Sequence, residues 1–311
     1  MKIVYGSEAR EPSRPSAVTV GVFDGVHIGH QALLAELRRI ADASDLRIVA
    51  VLPDRHPASV VRPEALPQLL TSLAQRLELL EAAGVDLVHV LRFDEERSLQ
   101  SADDFVSEVL VDCLDAKVHV GGEDFHFGHR RRGDVVAMAS LGVDHGIKVV
   151  TIPLVHDELA DGPVSSSGIR RLLRDGDLGA ANHLLGRPYE VRGIVEHGDA
   201  RGRTIGFPTA NVAVPGASAL PSDGVYAGWY CGPDGVERPS AINIGRRPTF
   251  YDENGLLLVE AHLIDFDGDL YGQHASVRVK ARLRDEVRFS GIEALTAQLR
   301  KDVQHARDVL A

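Results

Sequence analysis

The apolar pattern of this chain changes period once, near Arg187-Pro188, and that change limits its possible folds more than any other feature. Before it, short runs rich in branched apolar residues alternate with helical spacing. Such alternation predicts an α/β unit, with parallel strands buried by helices on both faces. The predicted strands are Ala17 to Val22, Arg47 to Leu52, Val85 to Leu91, Val118 to Val120 and Lys148 to Ile152. Between them, Thr71 or Ser72 can cap a helix whose Leu73, Leu77 and Leu80 form one stripe and which ends before Gly84. After Pro188 the runs alternate with polar residues and are separated by Gly, Pro and Asp, including Gly224 to Tyr230, Ala241 to Ile244, Leu257 to Ile264 and Val277 to Leu283. That is the pattern of an antiparallel β-barrel. Helical spacing returns from Gly291 to Leu310 and predicts one closing helix. With about 100 to 200 residues per domain, the chain divides into 1–186 and 187–311.

Several function classes are excluded by what the chain lacks. No apolar run approaches the roughly 18 to 20 residues that span a bilayer, and the polar N-terminus has no signal-peptide core, so a cytoplasmic protein is expected. Cys113 and Cys231 belong to no paired motif, which argues against a disulfide framework and a structural zinc site. A net charge of −11 opposes a general nucleic-acid binder, which needs a broad basic face. A phosphate ligand must instead meet a local basic patch: Arg130-Arg131-Arg132, Arg170-Arg171, or Arg201 and Arg203, each of which is as readily a solvated loop.

Gly21-Val22-Phe23-Asp24-Gly25-Val26-His27-Ile28-Gly29-His30 follows a buried strand and opens a helix. Backbone N–H groups at Gly25 to Ile28, with the helix dipole, can receive phosphate oxygens, and His27 and His30 share a helix face. A metal pair or two structural histidines are the competing readings. In Gly202-Arg203-Thr204-Ile205-Gly206-Phe207-Pro208-Thr209-Ala210-Asn211, Thr209 and Asn211 offer oxygen atoms on one side of an extended segment, a donor type that suits Mg²⁺. A simple turn explains that sequence equally well. Glu260 interrupts an apolar strand, and spacing alone makes it an outward-facing residue.

These segments resemble the bifunctional riboflavin kinase and FAD synthetase family of prokaryotes over nearly the whole chain. The resemblance implies a Rossmann-like nucleotidyltransferase domain followed by the barrel, phosphorylation of riboflavin to FMN, and adenylylation of FMN to FAD with release of pyrophosphate. ATP would be co-substrate of both steps, ADP a product of the first, and Mg²⁺ the cofactor, with no nucleic acid or membrane partner. By position, Gly21, Phe23, Gly25 and Gly29 would shape the ATP segment, and His27 and His30 would stabilise charge on the α-phosphate. Asp124, in Gly122-Glu123-Asp124-Phe125-His126-Phe127-Gly128 with Arg132-Gly133-Asp134, would contact the nucleotide. Ser165, Ser166 and Arg170 would grip its phosphates.

In the second half Gly202, Arg203 and Gly206, with Gly198, would shape a covering loop. Thr209 and Asn211 would hold the metal and ATP phosphates, and Glu260 would be the catalytic base. Arg284, Glu286 and Phe289, and the segment Asn243 to Phe250, would line or support the flavin and nucleotide sites. Two departures stand out. Gly168 replaces a usual basic residue, and Leu52-Pro53-Asp54-Arg55-His56-Pro57 keeps only Asp54, His56 and Pro57 of the family's Thr-Phe-Asp-Pro-His-Pro pattern. They define an alternative, a riboflavin kinase whose first domain is weak, inactive or uses another acceptor.

Overall fold

The computed structural model describes residues 1–6, 11, 14–198, 201–246 and 257–311, with the backbone alone at 201, 246, 257 and 258. Contacts divide the chain into two units, Met1–Pro67 with Thr71–Ser165, and Gln68–Leu70 with Ser166–Ala311.

The first unit is a six-stranded sheet of β1 (Lys2–Tyr5), β2 (Ser16–Val20), β3 (Arg47–Pro53), β4 (Leu87–Leu91), β5 (Ala116–Gly122) and β6 (Lys148–Ile152). Every pairing is parallel, in the order β1-β4-β3-β2-β5-β6. Its helices are α1 (Ile28–Ala43), α2 (Ala58–Val61), α3 (Leu73–Ala82), α4 (Glu95–Leu99), α5 (Ala102–Phe105) and α6 (Val135–His145). A π-helical stretch, Val106–Cys113, continues α5. Branched apolar residues of the inner strands point to both sides, so each face needs its own cover. Ala17, Ile48 and Ala50 pack with Leu34 and Leu37 of α1 and Leu77 and Leu80 of α3. Val18, Val49 and Val51 pack with Val106, Val109 and Leu110 and with Met138 of α6.

Strand order reverses between β2 and β5. In open parallel sheets, ligands bind beyond the carboxyl ends of the strands at that point. Residues 21–30 follow β2 and residues 123–128 follow β5, so both sequence motifs of this unit arrive there.

Some expectations shift. The strand predicted to reach Val22 stops at Val20, because the next residues enter a left-handed turn. Ser72, rather than Thr71, caps α3, with a reciprocal bond to Gln75. Gly84 then turns the chain at φ 81. β1 was not foreseen, since it is an edge strand of only four residues with three exposed side chains, too short to show a period.

The second unit begins with α7 (Ser166–Asp175) and α8 (Leu178–Leu185), which ends at a left-handed Gly186. The barrel strands are β7 (Tyr189–Glu196), β8 (Ala210–Val214), β9 (Gly224–Cys231), β10 (Glu237–Arg246), β11 (Leu257–Leu263) and β12 (His274–Arg284). They close in the order β10-β11-β8-β7-β12-β9, all antiparallel. The one-turn α9 (Arg201–Thr204) precedes β8, and α10 (Ile292–Leu310) follows β12. Val191, Val212, Tyr226, Ile242, Val259 and Val277, one from each strand, are buried. α10 sets Val303, Ala306 and Leu310 against Ala227, Ala241, Ile264 and Leu283, so β9 is buried on both faces for most of its length. Leu69 joins this unit too: its N–H donates to Ala217 O at 2.6 Å and its carbonyl accepts from Ala219 N at 2.8 Å. Local structure thus changes at Gly186, whereas packing partners change at Ser166.

Candidate active sites

In the first unit the phosphate-type loop is a strained turn. Phe23, Gly25 and Val26 have φ of 53, 81 and 40, and a left-handed backbone is unfavourable for a bulky or β-branched residue. Thr71 and Arg76 hold it. Asp24 Oδ1 accepts from Thr71 N at 3.0 Å and from Thr71 Oγ1 at 3.1 Å. Gly25 N donates to Thr71 Oγ1 at 2.8 Å, and Arg76 Nη1 donates to the Val22 carbonyl at 2.8 Å. Phe23 and Val26 are buried in the core, so Phe23 offers a ligand its backbone rather than its ring. Gly21 makes room for that ring, which a Cβ would approach to 3.2 Å.

His27 is the N-cap residue of α1, makes no side-chain capping bond, and leads into a first turn without acidic residues. Its ring stacks on His30 with centroids 3.7 Å apart, while Phe23 supports His30 from 5.2 Å. A Cβ at Gly29 would stand 3.1 Å from His27 Nδ1, so a larger residue there would crowd the imidazole where it folds back over the helix start. His30 Nδ1 is shut off from solvent without a hydrogen-bond partner. Burial, and then the proximity of His27, holds the His30 imidazole well below the ordinary histidine range. It is therefore neutral at pH 7, a hydrogen-bond donor rather than a standing cation.

Asp124 is exposed in the turn after β5, where its backbone carbonyl accepts from His126 Nδ1 at 2.7 Å. Asp134 caps α6 through Val136 N and Ala137 N at 3.0 and 2.8 Å, a structural duty for the last residue of the Arg132-Gly133-Asp134 stretch. Ser165 ends the first unit, whereas Ser166 and Arg170 start α7 in the second, where Arg170 Nη2 donates to Ser167 Oγ at 3.0 Å. In the divergent segment, Asp54 accepts from Phe93 N at 2.9 Å and pairs with Arg55, and His56 Nδ1 accepts from Ala58 N at 3.1 Å.

In the barrel, Glu260 on β11 stands opposite Asn211 on β8 and Asn243 on β10. Their strand neighbours Val212, Val259 and Ile242 are buried, so the three polar residues form a row on the outer face. His262, two residues on, donates from Nδ1 to the Pro208 carbonyl at 2.8 Å. A cavity of about 230 Å³ opens beside the row, lined among others by Gly202, Arg203, Pro208, Thr209, Asn211 and Tyr271. Thr209 and Asn211 thus share one wall, as expected of positions two apart on an extended segment. Close approach explains two glycines: a Cβ at Gly198 would meet Asn211 Nδ2 at 2.2 Å, and one at Gly202 would meet the Phe207 carbonyl at 2.2 Å. Gly206 takes φ 85 in the turn between α9 and β8.

Arg284 pairs bidentately with Asp302 on α10 at 2.9 and 2.6 Å, and Phe289 lies 5.8 Å from its guanidinium. The Glu286 carboxylate closes on Gly245, where a Cβ would meet it at 2.3 Å. Arg247 to Phe250 lie outside the described residues, as does the Arg201 side chain.

Known proteins match both units. The family model for FAD synthetase matches residues 9–168 and that for riboflavin kinase matches residues 185–310. A bifunctional riboflavin kinase/FMN adenylyltransferase of Escherichia coli (strain K12) is 36% identical over 312 residues, spanning 99% of this chain and 97% of its own. Those of Bacillus subtilis (strain 168) and Pseudomonas fluorescens are 34% and 38% identical, spanning 96% and 100% of this chain and 93% and 98% of their own. The chain belongs to the bifunctional riboflavin kinase/FMN adenylyltransferase family.

As a member of this family it carries both modules, and ATP is the co-substrate they imply; the family match favours this reading over a kinase with a lost first domain. The crystal structure of a protein described as a macrolide-efflux protein from Streptococcus pneumoniae shares the fold, with TM-score 0.88, 29% identity and 99% of both chains covered. No described helix of the present chain is long and apolar enough to cross a membrane. Sequence reasoning about this family member passed over Thr71 as a ligand of the loop, and over Arg76. The one signal was positional: Arg76 stands three residues after Leu73 and four before Leu80, on the apolar stripe of α3.

Proposed function

We propose that Glu260 is the general base of riboflavin phosphorylation and that His27 and His30 are the phosphate-binding groups of FMN adenylylation. The observation that carries the first assignment is the cross-strand placement of Glu260 beside Asn211, which with Thr209 lines a cavity. Glu260 takes the proton of the riboflavin 5′-hydroxyl as that oxygen bonds to the γ-phosphorus and the bridge to the β-phosphate breaks, releasing ADP. The Thr209 hydroxyl and the Asn211 amide oxygen are hard donors, and Gly198 leaves room for the Asn211 amide, so the pair fits Mg²⁺ alongside phosphate oxygens. When bound there, the ion neutralises charge on the transferring phosphates. Gly202, Arg203 and Gly206 shape the cover over them. Arg284, Glu286 and Phe289 support the flavin end.

In adenylylation a phosphate oxygen of FMN bonds to the α-phosphorus and the bridge to the β-phosphate breaks, releasing pyrophosphate. No proton transfer is required, so positioning and donated hydrogen bonds carry the catalysis. His27, His30 and the open first turn of α1 supply those bonds, shaped by Gly21, Phe23, Gly25 and Gly29. Asp124, Ser165, Ser166 and Arg170 complete the nucleotide contacts. Adenylyl transfer is assigned to 1–186 and phosphorylation to 187–311, a division that follows the change of local structure at Gly186. The reactions belong to the cytoplasm, with no nucleic-acid or membrane partner.

The test is a time course with purified protein, riboflavin, ATP and Mg²⁺, resolved by chromatography. FMN followed by FAD supports both assignments. FMN without FAD defeats the adenylylation assignment, and neither product defeats both.

A further inference from the structure

Arg76 is 2% exposed at the end of the first turn of α3. A cation there carries two penalties: loss of hydration, and proximity to the positive end of the helix dipole. Its compensation is incomplete. Nη1 donates to the Val22 carbonyl at 2.8 Å, but Nε is sealed from solvent with no hydrogen-bond partner. Burial draws the guanidinium below its usual range, opposed by the charges of Asp24 and Asp54. A leucine on this apolar stripe would serve packing at lower cost, so the retained charge points to a task other than stability.

The task is visible in what Arg76 and Thr71 touch. Thr71, just before the Ser72 cap of the same helix, binds Asp24 and Gly25, while Arg76 binds Val22. These residues flank the left-handed Phe23 and run directly into the left-handed Val26. The start of α3 is therefore a clamp across the strained turn that leads into His27, His30 and the first turn of α1.

We propose that Arg76 is a positioning residue for adenylyl transfer, which with Thr71 holds residues 22–26 so that the loop presents its donors to a polyphosphate. This rests on the proposed ATP site of the first unit. The experiment titrates pyrophosphate into the full-length protein while imidazole NMR signals are followed, with the His30 signal assigned by its loss in His30→Gln. FAD synthesis from FMN and ATP is measured in parallel, and riboflavin phosphorylation serves as internal control. Loss of a buried charged hydrogen bond predicts roughly tenfold or weaker pyrophosphate binding, and a matching rise in KM for ATP, in Arg76→Met. Arg76→Lys restores binding to within about threefold, and Thr71→Val shifts it in the same direction as Arg76→Met.

Pyrophosphate affinity and KM both unchanged in a folded Arg76→Met overturn the proposal, as does a His30 signal indifferent to pyrophosphate in the unsubstituted protein. Should Arg76→Met fail to fold, Arg76→Lys and Thr71→Val decide, and wild-type behaviour in both overturns it. Arg76-dependent pyrophosphate binding without FAD synthesis would instead remove FMN as the acceptor and leave the positioning role standing.

Discussion

Glu260 is the direct cross-strand neighbour of Asn211, one on β11 and the other on β8, with both side chains on the outer face of the barrel. The proposed base and the proposed phosphate-side ligand would thereby be held by backbone register rather than by a loop. Replacing Glu260 by Gln keeps the shape and would remove the proposed base. FMN formation should fall by about 10²- to 10⁴-fold, while FAD formation from added FMN is unchanged, as chromatography of both reactions would show. An unaffected kinase rate would refute the assignment.

Gly198→Ala tests the other side of that pair. The added Cβ would overlap the Asn211 amide, so Asn211 must move from the cavity wall. KM for ATP in riboflavin phosphorylation should rise by roughly tenfold with adenylylation untouched, since mispositioning by a fraction of an ångström weakens oriented binding. Steady-state kinetics of the two half-reactions decide it.

Substituting both His27 and His30 by Ala should lower FAD synthesis by about 10²- to 10³-fold and leave the kinase intact. A second signature follows from the depressed pKa of His30. An anion beside a neutral imidazole favours its protonated form, so nucleotide binding should take up protons at pH values below the ordinary histidine range. Calorimetry in buffers of different ionisation enthalpy would detect the uptake, and His30→Gln should abolish its share.

His119 on β5 sets a stability prediction. It is 1% exposed with neither ring nitrogen hydrogen-bonded, and burial lowers its pKa from 6.5 to about 4. The fold binds the neutral ring, whereas the unfolded chain takes up a proton at its higher pKa. Stability from this site is therefore full above pH 6.5 and falls by about 3 kcal/mol as pH drops to 4. Urea unfolding midpoints across that range should flatten in His119→Leu. An unchanged pH dependence would contradict the prediction.

The Arg284–Asp302 pair separates support from ligand binding. Asp302→Leu leaves a part-buried guanidinium uncompensated and should cost about 3 kcal/mol, whereas Arg284→Met with Asp302→Leu should cost less. A rise in KM for riboflavin in the double variant, measured with the kinase reaction, would place Arg284 at the flavin rather than only against α10.

Much of the fold was legible because periodicity is a local signal: Leu73, Leu77 and Leu80 announce α3, and the shift after Pro188 announces the barrel. The glycines of both loops were legible as well, and the contacts at Gly29, Gly198 and Gly202 explain their sequence positions. What stayed hidden depends on partners distant in sequence. Nothing near Arg76 says that its guanidinium reaches Val22, and nothing in 166–185 says that α7 and α8 pack with the barrel. The edge strand β1 is hidden for another reason, since four mostly exposed residues carry too little alternation to register.

The two backbone bonds of Leu69 have a consequence for how this protein can be made and divided. The ribosome releases Gln68–Leu70 long before Ala217 and Ala219 exist, so this stretch must wait unpaired until the barrel is nearly synthesised. A gene cut at Ser166 would yield a kinase fragment with the two peptide groups facing Leu69 left bare. Supplying residues 68–70 as a graft would be the minimal repair, and a clean separation of the two catalytic halves needs an insertion as well as a cut.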